Sequence, residues 1–583
     1  MQMRYLYATI AAALVLLTAA LMVACSTAPV PAGANGSDRP GRSGTSDTRN
    51  EPQLVKHPAG EGEEAVVRAR VTAAAPQSQP HYALHRKPVA PFLLDSGRER
   101  YPAFADNGIQ WTAQNPVSTF AVDVDTAAYA NMRRQLNAGQ LPHPESIRVE
   151  ELINYFNYQY PASSTRRQPF SVYTEMGPSP WNEDRKLLHV GIRGWSEDAG
   201  TLPPANLVFL IDVSGSMQAP NKIDLLKSAM KMMVRQLRPQ DRVAIAVYAG
   251  AAGEVLEPTA GNRQATIHAA IDNLQAGGST NGGAGIRLAY NLAKAQFNKG
   301  GINRVILATD GDFNVGTTDI DELERLIEGE RKSGIALTVL GFGTGNYNDH
   351  LMQKIAQIGN GNAAYIDTVN EARKVLVEEL GATLNIIARD MKVQIEFNPA
   401  VVDTYRLIGY ETRHLKREDF NNDRVDAGDV GAGHTVTALY ELTLKDDASV
   451  ADPLRYAQSE DEVATMQDEI GFLKLRYKLP DAETSLLISQ VLERGDLGRD
   501  LGSMSESFRF AGAVAWLGQL LRHNNQVHND DMASLIKLAR SARGEDEYGY
   551  RSEFISLVRT ASALSVAVAP DQVPAPREDS EHG

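Results

Sequence analysis

Three oxygen-bearing side chains lie within one short stretch, Asp212-Val213-Ser214-Gly215-Ser216, directly after the apolar run 207–211. A carboxylate and two hydroxyls are hard donors, and Mg²⁺ suits them because it wants a near-octahedral oxygen shell and keeps some of its waters. Two further stretches carry similar groups. Gly277-Gly278-Ser279-Thr280-Asn281-Gly282-Gly283 precedes a helical pattern, and Asp310-Gly311-Asp312 follows the apolar run 305–308. The carboxylates of Asp212 and Asp310 would roughly neutralise a divalent ion. A coordination position left to water could then take an acid group from another molecule, with the cation as its anchor. Taken singly, Ser216 as a helix cap, Asp310-Gly311 as a turn and the glycines around Thr280 as loop punctuation all have structural explanations. Their joint placement at successive strand ends is what points to a metal.

Competing chemistries match less well. A phosphate-binding loop needs Gly-Lys-Ser/Thr at its end, whereas Gly283 is followed by Ala284, so nucleotide binding is not expected. Ser214 as a nucleophile would need a base such as His189, His268, His350 or His434, and Ile211 stands where a Gly-x-Ser-x-Gly elbow requires glycine. There is no His-Glu-x-x-His. The stretch Asp310-Gly311-Asp312-Phe313-Asn314 approaches a calcium loop, but Val315 replaces the glycine that loop requires. The acidic segment 419–429 has the composition of a solvated charged loop, with calcium binding as the alternative. His81 and His85 have a helical ligand spacing, but no helix is expected around them.

The elements that must position these residues can be read from hydrophobic period. Residues 207–211, 243–248, 305–308 and 337–340 are continuous apolar runs, the signature of strands covered on both faces. Between them lie helical patterns. One buries Leu226, Met230, Met233 and Leu237 and exposes Lys227, Lys231 and Arg235; another carries Leu323, Leu326 and Ile327. Alternating strand and helix predicts an α/β fold with a doubly wound, mainly parallel sheet, whose ligand site lies at the carboxyl ends of the strands.

On either side the period changes to two. Phe170, Val172, Thr174 and Met176, then Leu188, Val190 and Ile192, precede the block; Met391, Val393, Ile395 and Phe397, then Val436 to Leu444 in alternation and Leu473, Leu475 and Tyr477, follow it. Half-buried strands on both flanks predict one β-sandwich with the α/β domain inserted between its strands. Helical spacing predicts helices through Tyr129, Met132 and Leu136, through Val149, Leu152, Ile153 and Phe156, and in a helical carboxyl-terminal part through Phe510, Val514, Leu517 and Leu521, then 532–538 and 554–558.

At Asp212, Ser214, Ser216, Thr280 and Asp310 the chain resembles the von Willebrand factor type A (VWA) fold and its metal-ion-dependent adhesion site, with every element of that pattern in order. The resemblance implies Ser214, Ser216 and Thr280 as direct ligands, and Asp212 and Asp310 as ligands acting directly or through water. Mg²⁺, or else Mn²⁺ or Ca²⁺, is the implied cofactor. Ser118-Thr119-Phe120-Ala121-Val122-Asp123-Val124-Asp125-Thr126 and Leu407-Ile408-Gly409-Tyr410-Glu411 resemble the flanks of bacterial VWA lipoproteins.

Composition agrees with this class. A net charge of −14 disfavours nucleic acid. The only cysteine, Cys25, cannot form an internal disulfide. It closes Leu21-Met22-Val23-Ala24-Cys25 after Arg4 and a short apolar run, which resembles a lipobox and implies export, cleavage before Cys25 and lipidation of its sulfur; an uncleaved signal anchor is the alternative. Ser26 after the cysteine implies the outer membrane, facing the periplasm, if the organism has one. The expected layout is a signal peptide (1–25), a disordered tether (26–105), a flanking domain (106–200), the VWA domain (201–385), a domain of strands then helices (386–565) and a disordered tail (566–583). The expected function is not enzymatic: a membrane-anchored module capturing an acidic side chain on a protein partner. An envelope hydrolase using the same cleft, and a structural assembly protein whose site is filled internally, are the alternatives.

Overall fold

A computed structural model describes residues 101–568 apart from 102, 123–124, 164, 197–201, 280–281, 312–319, 344–347, 446–467, 481, 499 and 528–529. Cys25, the expected tether up to residue 100 and the tail from 569 lie outside the described residues.

The first flank contributes β1 (Gln110–Trp111), β2 (Val117–Ala121), α1 (Ala127–Asn137), α2 (Val149–Asn154), β3 (Phe170–Pro178) and β4 (Lys186–Gly194). Tyr101 and Phe104, inside the expected tether of 26–105, are already docked on the fold. Asn131 donates to the Tyr101 hydroxyl at 2.6 Å, and the Arg522 guanidinium lies 4.1 Å from the Phe104 ring centroid. Two aromatic anchors inside a polar stretch carry no period, which is why spacing missed them.

The central block runs β5 (Ala205–Asp212), α3 (Leu225–Val234), β6 (Arg242–Tyr248), β7 (Ala252–Ala260), α4 (Gln264–Asp272), α5 (Gly282–Ala295), β8 (Ile302–Thr309), α6 (Ile320–Lys332), β9 (Ala336–Phe342), α7 (Asp349–Ile358) and β10 (Ala363–Ile366). Its sheet has the order β10-β9-β8-β5-β6-β7, parallel except for the antiparallel edge strand β7. The continuous apolar runs have the expected cause. In β5, Leu207, Phe209 and Ile211 pack on one face with Met230 and Met233 of α3. Val208 and Leu210 pack on the other with Ile286, Ala289 and Tyr290 of α5. Each such fully buried side chain contributes roughly 1.5–3 kcal/mol, so β5 is held rigidly from both sides up to the carboxylate that ends it.

Beyond the central block lie α8 (Val369–Arg373), α9 (Leu380–Leu384), β11 (Ile386–Phe397), β12 (Val402–Ile408), β13 (Gly428–Gly431), β14 (Thr435–Leu444), β15 (Glu469–Lys478), β16 (Ser485–Glu493), α10 (Glu506–Leu521), α11 (Met532–Ser541) and α12 (Tyr550–Val568). They share sheets with the first flank. One antiparallel sheet is β1-β12-β14-β4-β3; the other is β13-β11-β15-β16, with β2 also paired to β11. The core between them joins Val190 and Ile192 to Val393, Ile395, Leu473 and Leu475. The predicted sandwich with an inserted α/β domain is therefore the observed fold. A second shared core packs α1 and α2 against α10 to α12, through Tyr129, Leu152, Phe156, Phe510, Val514 and Phe554. The Gly409-Tyr410 corner takes positive φ at both residues, and a side chain on Gly409 would strike the Glu150 backbone at 2.7 Å.

Candidate metal centre

Asp212, Tyr248 and Asp310 stand at or just beyond the carboxyl ends of the adjacent parallel strands β5, β6 and β8. Asp212 is fully buried. Its Oδ1 accepts from the Ser214 backbone N–H at 2.8 Å, and its Oδ2 accepts from the Tyr248 hydroxyl at 3.2 Å and from Thr309 Oγ1 at 3.4 Å. The carboxylate is thus fixed in rotation. Ser214 Oγ and Ser216 Oγ lie 2.9 Å apart, two hydroxyls hydrogen-bonded to each other beside the carboxylate.

The glycine-rich loop is clamped to this turn by its backbone. Gly215 N–H donates to the Gly278 carbonyl at 3.0 Å, and Gly277 N–H donates to the Val213 carbonyl at 2.7 Å. Gly278 has φ +98°, a conformation that favours glycine. Gly285 lets α5 lie close on β6, since a Cβ there would sit 2.7 Å from the Tyr248 Cβ. The segment leading to Thr280 therefore runs beside the Asp212 turn; Thr280 itself lies outside the described residues.

Asp310 follows β8 and is buried, and its Oδ2 accepts from the Lys222 ammonium at 2.8 Å. Burial raises the Asp212 carboxyl above its ordinary range, the Asp310 charge adds to this, and the hydrogen bonds from Ser214 and Tyr248 oppose it. A desolvated carboxylate, a second carboxylate within electrostatic reach and a hydroxyl pair are a donor set that fits a small hard cation. Among the described residues no group of three or more His, Cys, Asp or Glu side chains could hold a metal. This centre relies on hydroxyls instead. Asp310 Oδ2 is paired to Lys222, so a cation at this centre would share that carboxylate with the ammonium.

Sequence spacing brought out Asp212, Ser214, Ser216, Thr280 and Asp310 but missed Tyr248, Thr309 and Lys222. The first two close apolar runs and read as core. Lys222 reads as one more basic residue ahead of an amphipathic helix. The histidines considered as bases sit elsewhere. His189 is buried in the sandwich on β4, where its Nε2 lies 2.6 Å from the Tyr160 hydroxyl and burial lowers its pKa to about 3. His268 and His350 are on α4 and α7, and His434 precedes β14. The acidic segment 419–429 is engaged by cations: Asp423 by Arg476 at 3.2 Å and Asp426 by Arg331 at 3.3 Å.

A covered parallel sheet with an Asp-x-Ser-x-Ser turn at its carboxyl edge defines a VWA-type protein, and the family model for the von Willebrand factor type A domain matches residues 206–378. A model described as von Willebrand factor matches 95–189, and one described as the carboxyl-terminal part of the uncharacterized protein YfbK matches 382–564. The chain is 46% identical over 498 residues to the uncharacterized protein YfbK of Escherichia coli K12, covering 84% of this chain and 85% of that one. It belongs to that family of bacterial VWA-domain proteins. It is also 25% identical over 315 residues to the uncharacterized protein sll0103 of Synechocystis, covering 53% of this chain and 70% of that one. Among solved structures it is similar to a von Willebrand factor type A protein from Catenulispora acidiphila, at 16% identity and a TM-score of 0.38, covering 69% of this chain and 92% of the other.

Proposed function

We propose that this VWA-domain protein is a lipid-anchored envelope module that holds a divalent cation, Mg²⁺ or else Mn²⁺ or Ca²⁺, at Asp212, Ser214, Ser216, Thr280 and Asp310. Through that ion it captures an acidic side chain on a protein partner. The observation that carries the reading is the Asp212 turn: a buried carboxylate locked by Ser214 N–H and Tyr248 OH beside two hydroxyls 2.9 Å apart. Such an arrangement is costly without a cation and useful with one. The Ser214 hydroxyl pairs with Ser216 rather than with a histidine among the described residues, which favours a ligand role over a nucleophilic one. The anchor rests on the lipobox-like segment ending at Cys25. Among the described residues no helix is long and apolar enough to cross a membrane.

Asp212→Ala should abolish Mg²⁺ binding by calorimetry and metal-dependent capture of a partner from envelope extracts, with the circular dichroism spectrum retained. Capture that persists in EDTA would favour the structural assembly role. Ester turnover lost with Ser214→Ala would favour the hydrolase.

A further inference from the structure

Lys222 sits on the short helical turn Pro220–Asp224 that links the Asp-x-Ser-x-Ser loop to α3. Its side chain is 8% exposed, and that of Asp310, whose carboxylate its ammonium meets, is 0% exposed. The route taken by its stem is built into the fold. The stem crosses Gly343 just after β9, where a Cβ would come within 2.1 Å of the Lys222 Cε and 2.6 Å of its Cγ. Gly343 has φ +78°, and its carbonyl accepts from the Tyr365 hydroxyl. A glycine in the left-handed region, fastened by a tyrosine, leaves the channel through which the lysine reaches Asp310.

We propose that Lys222 is the resident cation of this centre: its ammonium neutralises Asp310, opposes divalent metal, and leaves the metal-loaded site with surplus positive charge that an acidic partner offsets. This rests on the metal-binding reading above and adds a residue that sets its strength. Two carboxylates and one ammonium carry a single net negative charge, and a divalent ion reverses that sign. Without the lysine the same ion would be neutralised by Asp212 and Asp310 alone, and the centre would hold metal more firmly but attract an external carboxylate less. At these separations in a partly buried site, like-charge repulsion is large enough to govern affinity.

The test is calorimetric titration with MgCl₂, and thermal melting in EDTA and in MgCl₂, of the full chain and of Lys222→Met, Lys222→Gln, Lys222→Arg and Asp212→Ala. Lys222→Met and Lys222→Gln should bind Mg²⁺ about tenfold more tightly. They should melt below the wild type in EDTA, because Asp310 loses its counter-charge, and gain more from Mg²⁺ than the wild type does. Lys222→Arg should keep the weaker wild-type affinity. Lys222→Gln retains a hydrogen-bond donor for Asp310 and serves if Lys222→Met does not fold. Unchanged or weaker Mg²⁺ affinity in folded Lys222 variants, with binding still abolished by Asp212→Ala, overturns this inference and leaves the metal reading standing. No Mg²⁺ binding in either the wild type or a folded Lys222 variant overturns both.

Discussion

Two buried ionic clusters in this molecule use the same ingredients to opposite ends. In one, Arg133 of α1 is fully buried and spends its guanidinium on Asp367, Glu371, Glu553 and the Tyr155 hydroxyl. Burial would lower its pKa, but Glu371, Tyr155 and Asp367 raise it well above the ordinary arginine value. The partners come from the first flank, from the end of the central block and from α12, so one cation knots three stretches of chain together. In the other, Lys222 meets Asp310, while Asp212, also buried, is held by hydrogen bonds from Ser214 and Tyr248. The first cluster is cation-centred and its donors are consumed. The second gathers oxygens at a sheet edge and is left net negative. A saturated network fixes structure; an unbalanced one can still bind.

The largest effect expected from breaking this contrast is on the first cluster. Arg133→Met should lower stability to urea by about 3–5 kcal/mol, since it strands buried carboxylates, while Mg²⁺ affinity stays within about twofold of wild type because the side chains that Arg133 meets, Asp367, Glu371, Glu553 and Tyr155, are not those of the metal centre. A loss of stability under about 1 kcal/mol, or a loss of metal binding to match Asp212→Ala, would erase the distinction.

A smaller effect tests the second cluster through its backbone. Gly343→Ala puts a methyl group where the Lys222 stem runs, on a residue at φ +78°. It should cost about 1–3 kcal/mol in a melt taken in EDTA, and it should tighten Mg²⁺ binding in the same direction as Lys222→Gln. Calorimetry that finds the affinity of Gly343→Ala unchanged would show that the lysine reaches Asp310 by another path.

The smallest effect sharpens the comparison by separating a third ionisable group from both. Burial raises the Asp429 carboxyl to about 7. Its folded pKa lies above its unfolded one, so the folded state binds the extra proton between the two. The associated stability is present below about pH 4 and lost as pH rises through about 7. Asp429→Asn, whose amide oxygen can still accept the Asp390 N–H, should raise the melting temperature by about 2 °C at pH 8 and leave it unchanged at pH 4. An equal shift at both pH values would mean that the carboxyl is not held protonated by the fold.

What could be read from the sequence follows from how local each signal is. Asp212, Ser214 and Ser216 fall within one turn after a strand covered on both faces, so composition and spacing sufficed. The flanking strands were legible because alternation reports one covered face, and their recurrence on both sides of the α/β block revealed the insertion. Strand β16 was missed because Leu486, Leu487 and Ile488 run consecutively and do not alternate. Arg133 and Lys222 were missed for a different reason. Each has the look of a basic residue on a helical surface, and its meaning comes from partners as distant as Asp367 and Asp310. Charge pairing across the fold leaves no local pattern.

The two connections into the inserted block enter and leave at one spot. Trp195 O accepts from Gly433 N–H and Asn385 O from Ala432 N–H, so both strands of the crossing are stitched to the same short turn before β14. The central sheet is drawn from contiguous chain, whereas β2 waits for β11, and the β3–β4 pair for β14, before each can join its sheet. During synthesis from the amino end, the middle of the molecule can therefore condense first, and once condensed it brings residues 195 and 385 together. The entropy of closing so long a loop is then met by the folding of its contents, and the inserted domain acts as the clasp that makes the outer sandwich assemble.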